Sequence, residues 1–129
     1  MLKETYLGYL PIGQMIQTIS GGELQRLKVA RELTKKRRGT TLYIFDEPTA
    51  GLHPKEVEKL IYILRGLLDE GHTVVVVEHN LKLISSSDFL IEFGPKAGVH
   101  GGKIITTGSP YEVMHNKASP TGKMLKKFQ

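Results

Sequence analysis

The stretch "TLYIFDEP" at residues 41–48 places two adjacent carboxylates directly after a short apolar run. An apolar, partly β-branched run that is bounded by turn residues predicts a buried strand, here over residues 41–45. Pro48 cannot continue a hydrogen-bonded ladder, so the strand is expected to end before it. Ligands of open α/β sheets bind at the carboxyl ends of the strands. Asp46 and Glu47 are therefore candidate site residues, and the alternative is a pair of solvated acids at a strand end.

Strands and helices alternate on the carboxy-terminal side of this stretch. Pro54 suits the first turn of a helix over 54–70, whose apolar residues recur at the spacing of one buried face. The run "TVVVV" predicts a central parallel strand over 73–77. The last dozen residues are expected to be weakly ordered. The alternation predicts an α/β fold, and its remaining elements are a helix over 80–87 capped by Asn80, a strand over 89–93, an edge strand over 103–108 and a helix over 110–116.

The amino-terminal segment contains "ISGGELQR" at residues 19–26, followed by the apolar stripe of a helix over 20–38. Ser20 and Glu23 have the spacing of a capping box. Gly21 and Gly22 leave the backbone bare at the positive end of the helix dipole, where a phosphate can approach the N–H groups closely. The segment therefore predicts an anion site. The alternative is an ordinary helix cap in which the two glycines only make the start of the helix flexible.

The residues at the strand ends have the chemistry of a phosphate-transfer site. Asp46 suits Mg²⁺, a hard cation that takes few carboxylates and keeps its waters. Glu47 can orient or deprotonate an attacking water. His79 directly follows "VVVVE", so it lies at the same kind of edge and can donate to a phosphate oxygen. The alternative for His79 is a packed histidine that caps a strand.

Four short motifs occur in the order "ISGGE", "LYIFDE", "AGLH" and "EHN". This order resembles the signature motif, Walker B strand, D-loop and switch-histidine loop of ATP-binding cassette (ABC) ATPases. The resemblance implies a partial P-loop NTPase sheet with flanking helices that uses ATP and Mg²⁺. It implies that Asp46 helps to hold Mg²⁺, that Glu47 polarises the attacking water and that His79 contacts the γ-phosphate. It also implies a γ-phosphate contact, to ATP held by an opposing nucleotide-binding domain, from Ser20, Gly21, Gly22 and Glu23.

A narrower resemblance extends from about residue 7 to the end of the chain. The lead-in "LGYLPIGQMIQTISGGELQR" and the loop "GPKAGVHGG" are similar to the carboxy-terminal part of the second ABC domain of the UvrA family of bacterial excinuclease proteins. His53 agrees with that family, although many ABC proteins have Asp there. The resemblance implies a damage-recognition ATPase of nucleotide excision repair that binds DNA, dimerises, carries structural zinc and works with the helicase component of the excinuclease.

Two family features are absent from this sequence. It has no Walker A motif G-x-x-x-x-G-K-[ST] and no cysteine, so no zinc site is expected in this chain. We interpret residues 1–129 as the distal half of one nucleotide-binding domain: a signature helix (20–38), a core from Walker B to the switch histidine (41–93) and a carboxy-terminal part (94–129). By the resemblance, the missing P-loop strand would leave a gap in the sheet with unpaired edges. Either the two flanking strands pair directly, or a partner chain fills the gap, or the chain is marginally stable, and we expect self-association. Negligible ATP hydrolysis is expected from the isolated chain.

Charge and composition leave two other functions open. The net charge is +5, and residues 117–129 hold four lysines and no acid, which favours a polyanion partner or simply a solvated tail. A truncated, non-catalytic DNA-binding or regulatory module is one alternative, and a fragment of a transporter ATPase is the other. No apolar run reaches membrane-spanning length, no signal peptide is visible, and a cytoplasmic location is expected. The remaining histidines are expected to be solvated and without a metal role: His72, His100 and His115.

Overall fold

The computed structural model describes residues 39–95 and 101–128 and, before them, residues 24, 27 and 31. Those three residues are helical and fall within the helix predicted over 20–38. The rest of that helix lies outside the described residues. The chain forms two compact units, Met1–Glu78 and His79–Gln129.

The first unit contains a parallel strand pair joined by a helix. Strand β1 is Leu42–Asp46, helix α1 is Pro54–Asp69 and strand β2 is Thr73–Val77. Leu42 is opposite Thr73 at one end of the ladder, and Asp46 is opposite Val77 at the other. Parallel strands need a crossover connection, and α1 supplies it. The ladder therefore brings the carboxyl ends of both strands to one edge.

Helix α1 forms because its sequence supplies a start, a buried face and a stop. Pro54 lies in the first turn, and the Glu56 carboxylate accepts a hydrogen bond from the His53 N–H at 3.0 Å. Gly71, just beyond the helix, has a φ of 83°, a left-handed conformation that glycine adopts readily. The helix packs against β2, and its buried residues are Val57, Leu60, Ile63, Leu64 and Leu67.

The β1–β2 pair has one covered and one uncovered face. Tyr43 in β1 is buried, whereas its neighbour Ile44 is 67% exposed. Ile44 is opposite Val75 in the ladder, and Val75 is also exposed. Because side chains alternate along a strand, the exposed apolar residues share one face. This uncovered face is formed by Leu42, Ile44, Val75 and Val77.

The described residues of the second unit form an antiparallel strand pair and three helices. Strand β3 (Leu90–Gly94) pairs with β4 (Lys103–Gly108), with an irregularity in register between Glu92 and Phe93. The helices are α2 (Leu81–Ser85), α3 (Pro110–His115) and α4 (Pro120–Phe128). One buried cluster joins the three helices, and Leu81 and Leu90 pack against it: Ile84, Met114 and Leu125.

Two side-chain caps set the starts of the short helices. The Asn80 side chain accepts from the backbone N–H of Lys82 at 3.0 Å and of Leu83 at 3.3 Å, as expected for an N-cap of α2. Ser109 and Glu112 form a capping box at the start of α3. The sequence analysis identified the first of these caps and missed the second.

The expectation that the last dozen residues are weakly ordered is wrong, because residues 120–128 form α4. Leu125 is 2% exposed and lies in the core of the second unit. At Gly122, an added Cβ would lie 2.1 Å from the Val113 carbonyl oxygen, so the bare glycine lets α4 approach α3 closely. Contacts with residues distant in sequence stabilise this helix, so its own sequence pattern did not predict it.

The predicted fold class, a partial α/β sheet with flanking helices, is confirmed. Within the described segments the ladders are β1–β2 and β3–β4, each of two strands. Strands 73–77 and 103–108 have their predicted bounds, while β1 and β3 each begin and end one residue later than predicted. No helix in the part of the chain that the structure describes is both long and apolar enough to cross a membrane.

Candidate active site

Two neighbouring carboxylates lie at the carboxyl edge of the parallel strand pair. Asp46 is the last residue of β1, and the Glu47 N–H donates to the Val77 carbonyl oxygen at 2.9 Å. Both residues are exposed. This edge is the position in which open α/β sheets bind ligands.

The backbone at Glu47 has an unusual conformation. Its φ is 43°, within the left-handed region that residues with a side chain rarely adopt. Such a conformation costs about 1–3 kcal/mol and persists only where the surroundings impose it. Here the Glu47 N–H binds Val77, and the Glu47 carbonyl accepts from the Ala50 N–H at 3.1 Å. The sparsely populated conformation at a strand end supports a functional role for Glu47.

The first two residues of the turn that follows Glu47 are buried, and the turn is tied to the end of β2. Pro48 and Thr49 are both buried, and Thr49 is 7% exposed. The Thr49 N–H donates to Glu78 Oε1 at 2.9 Å, and the Thr49 hydroxyl donates to the same oxygen. We call Glu78 together with Thr49 the Glu78 anchor. The sequence analysis missed it, and its local signal is an acid directly after an apolar strand.

The other candidate site residues are distributed differently. His79 is exposed and is the first residue of the second unit. It directly precedes Asn80, the residue that caps α2. The predicted phosphate-binding residues lie outside the described part of the chain: Ser20, Gly21, Gly22 and Glu23.

The carboxylate pair fits a magnesium ion better than a structural zinc ion. Carboxylate oxygens are hard donors, and Mg²⁺ is usually held by one or two of them, with water and substrate phosphates as the other ligands. Asp46 and Glu47 supply two such groups in consecutive positions. A closed zinc site needs four ligands, most often Cys or His. Among residues 39–95 and 101–128, no three His, Cys, Asp or Glu side chains are grouped for metal binding.

The expectation that His72 is solvated is wrong. Its side chain is 13% exposed, and its ring centroid lies 5.5 Å from that of Tyr43. The Thr41 N–H donates to His72 Nδ1 at 3.3 Å. His72, the residue before β2, is therefore tied to Thr41, the residue before β1, which its position in a short turn did not suggest.

A second carboxylate binds a threonine in the other unit. In what we call the Glu92 anchor, Glu92 accepts from the Ser119 hydroxyl, from the Thr121 N–H at 2.9 Å and from the Thr121 hydroxyl at 2.5 Å. Burial is the largest single influence and acts to raise the pKa of Glu92. The hydrogen bonds from Ser119 and Thr121 together outweigh it and hold the pKa below its ordinary value.

Solved structures of other proteins share this fold. The ATP-binding cassette MJ1267 of an ABC transporter, in its ADP conformation, superposes with a TM-score of 0.65 over 99% of this chain and 47% of its own. Its sequence is 21% identical, so this likeness shows the fold alone. UvrA2 from Deinococcus radiodurans superposes with a TM-score of 0.91 at 45% identity, over 98% of this chain and 16% of its own. The fold is therefore that of part of an ATP-binding cassette.

Proteins related in sequence show which kind of ATP-binding cassette protein this chain is similar to. UvrABC system protein A from Aquifex aeolicus is 52% identical over 99% of this chain, and the protein of that name from Streptococcus pneumoniae is 50% identical over 97%. No family model matches the chain. The chain is therefore similar, over nearly its whole length, to a segment of UvrA proteins. It spans 14% and 13% of the length of these two relatives, so it corresponds to a fragment of them.

Proposed function

We propose that this chain supplies the hydrolytic edge of a nucleotide-binding domain in a UvrA-type ATPase of nucleotide excision repair. Asp46 helps to hold Mg²⁺, and the Glu47 carboxylate orients the attacking water and accepts its proton. The observation that carries the proposal is the left-handed Glu47 directly after Asp46, at the carboxyl edge of β1 and β2. The UvrA relatives at about 50% identity support it.

The chain's own residues contribute binding, orientation and proton transfer. Glu47 acts on water, while the bound Mg²⁺ supplies charge neutralisation on the phosphates. His79 donates to the γ-phosphate, and the segment 20–23 offers backbone N–H groups to a γ-phosphate held by the opposing domain. The cradle for the β- and γ-phosphates comes from a Walker A loop, which this sequence lacks. Negligible ATP hydrolysis by the isolated chain is part of the proposal.

The proposal is tested in a complete UvrA-type protein that carries this segment. Glu47→Gln keeps the size of the side chain but removes its basicity, so kcat for ATP hydrolysis should fall by at least about 100-fold. ATP binding, measured by equilibrium titration, should remain. The matched control is Glu58→Gln, the same change on the exposed face of α1, which should leave turnover unchanged.

Two results would contradict the proposal. The first is ATP turnover in the complete protein that survives Glu47→Gln. The second is magnesium-dependent turnover by the isolated 129-residue chain that disappears in Glu47→Gln, because it would show that the chain needs no outside phosphate loop.

The partners belong to the same proposal: an opposing nucleotide-binding domain, DNA and the helicase component of the excinuclease, at a cytoplasmic location. Support for DNA comes from α4, whose exposed lysines are spaced to lie along one side of the helix. These are Lys123, Lys126 and Lys127. Binding of DNA by the isolated chain should be weak, independent of sequence and reduced by salt. Binding that does not respond to salt would remove this part of the proposal.

Self-association of the isolated chain is also proposed. It is supported by the two-stranded ladders, whose outer edges are unpaired among residues 39–95 and 101–128, and by the uncovered apolar face of the first unit. Sedimentation should show oligomers that grow with protein concentration. A compact monomer at high concentration would contradict this.

A further inference from the structure

The end of strand β2 holds the turn that contains Glu47 through two consecutive residues. Val77 accepts the Glu47 N–H through its carbonyl oxygen at 2.9 Å. Glu78, the next residue, accepts both the N–H and the hydroxyl of Thr49 on one carboxylate oxygen. Three donors of the turn therefore converge on the end of β2, and two of them depend on the Glu78 side chain.

The turn is closed at Glu47 itself. The Ala50 N–H donates to the Glu47 carbonyl at 3.1 Å, so residues 47–50 form one hydrogen-bonded turn with Thr49 inside it. A left-handed φ at a glutamate persists only where such contacts enforce it. If Thr49 were released, the turn would lose its side-chain anchor. The Glu47 backbone would then be held by the Val77 hydrogen bond and by the Ala50 hydrogen bond that closes the turn.

We propose that Glu78 is a positioning residue, which fixes the Glu47 carboxylate at the sheet edge by holding Thr49 and the turn around it. The inference rests on the proposed role of Glu47 in hydrolysis. Glu78 itself touches neither water nor phosphate in this scheme. Its oxygen serves Thr49, and its effect on chemistry passes through the backbone of residues 47–50.

The kinetic test uses a complete UvrA-type protein that carries this segment. Glu78→Ala removes the acceptor, and displacement of a catalytic group by about 1 Å can lower a rate on the order of 100-fold. We expect kcat to fall by about 10- to 100-fold, with KM for ATP within about twofold. Glu78→Gln keeps an Oε1 acceptor for both Thr49 donors, so it should restore most of kcat. A role in stability alone would not produce this split between kcat and KM.

A second measurement uses the 129-residue chain without nucleotide. Hydrogen exchange followed by NMR should show faster exchange of the Thr49 and Glu47 amides in Glu78→Ala than in Glu78→Gln. If Glu78→Ala fails to fold, Thr49→Val replaces it. This variant removes the hydroxyl donor and keeps the N–H, and it should lower kcat by a smaller factor.

The outcomes separate this inference from the proposed function. If Glu47→Gln abolishes turnover but Glu78→Ala and Thr49→Val leave kcat unchanged, the proposed function stands and the positioning role is overturned. If turnover survives Glu47→Gln, both are overturned. Equal exchange rates at Thr49 and Glu47 in Glu78→Ala and Glu78→Gln would also overturn the positioning role.

Discussion

The two units of this molecule contain the same glutamate–threonine hydrogen-bond arrangement, and it holds different parts of the structure in place. In each, a glutamate accepts from both the N–H and the hydroxyl of a threonine distant in sequence: Glu78 from Thr49, and Glu92 from Thr121. The Glu78 anchor holds a turn that begins at a left-handed glutamate. The Glu92 anchor holds the first turn of α4, in which no candidate site residue lies.

If Glu47 acts in hydrolysis as proposed, one hydrogen-bond pattern serves chemistry in the first unit and architecture in the second. The residues that it immobilises decide between them. Disruption of the Glu78 anchor should therefore appear in kinetics, as described above. Disruption of the Glu92 anchor should appear in the free energy of unfolding.

The largest effect on stability is expected at Gly122, whose N–H donates to the Ser119 hydroxyl oxygen at 2.7 Å. Gly122→Ala would place a Cβ 2.1 Å from the Val113 carbonyl oxygen. Because backbone must move to relieve this overlap, we expect a loss of about 3 kcal/mol in the free energy of unfolding, measured with urea.

Gly66→Ala is the matched control for this substitution. Gly66 lies within α1, is exposed and has no atom within 4 Å of an added Cβ. Removing a helical glycine there should stabilise the chain by about 0.5–1 kcal/mol. The comparison fails if the two alanine substitutions shift stability in the same direction.

An intermediate effect, dependent on pH, is expected at Glu92. Its pKa in the folded chain lies below the ordinary value of 4.5. The carboxylate therefore contributes stability that is fully present above pH 4.5 and is lost as the pH falls through the lowered pKa. Glu92→Gln should be less stable than the unchanged chain at pH 7, and the difference should shrink below pH 4.5.

Thermal unfolding at several pH values measures this difference. Glu58→Gln on the exposed face of α1 is the control, and it should change stability by less than about 0.5 kcal/mol throughout. A Glu92 difference that stays constant or widens in acid would show that the charge of this carboxylate is not what binds α4.

The smallest effect is expected at the start of α3, a local cap outside both anchors. The Ser109 hydroxyl oxygen accepts from the Glu112 N–H at 3.3 Å, and the Glu112 carboxylate accepts from the Ser109 N–H at 2.7 Å. Ser109→Ala should cost about 1 kcal/mol in urea unfolding, whereas Ser109→Asp keeps an acceptor and should cost less. Equal losses in both variants would assign the effect to something other than the cap.

Local patterns predicted most elements because their signals are short-range. The valines of β2 and the glycine after α1 act within a few residues, and Asn80 caps the helix that follows it at once. The one-residue shifts of β1 and β3 come from pairing, since Asp46 is opposite Val77 and Gly94 is opposite Lys103. Partner positions of this kind cannot be read from one strand alone.

The two anchors that sequence reasoning missed act over long separations, in contrast to the missed cap at Ser109, which is local. Glu92 meets the start of α4 across 27–29 residues, and Thr49 meets Glu78 across 29. The sequence predicted Asp46 and Glu47 as neighbours at a strand end because that required only a strand and a proline. It did not predict what holds them, because the holding contacts exist only after the chain has folded.

At position 47 the backbone conformation favours glycine, whereas the proposed chemistry needs the carboxylate of a glutamate. Glycine adopts a positive φ without steric penalty, so Glu47→Gly would relax the backbone and at the same time delete the carboxylate. Selection for thermal robustness alone would therefore favour glycine at position 47. Under the proposed role of Glu47 in hydrolysis, a glutamate there is a trade-off in which the protein gives up stability for what its side chain does.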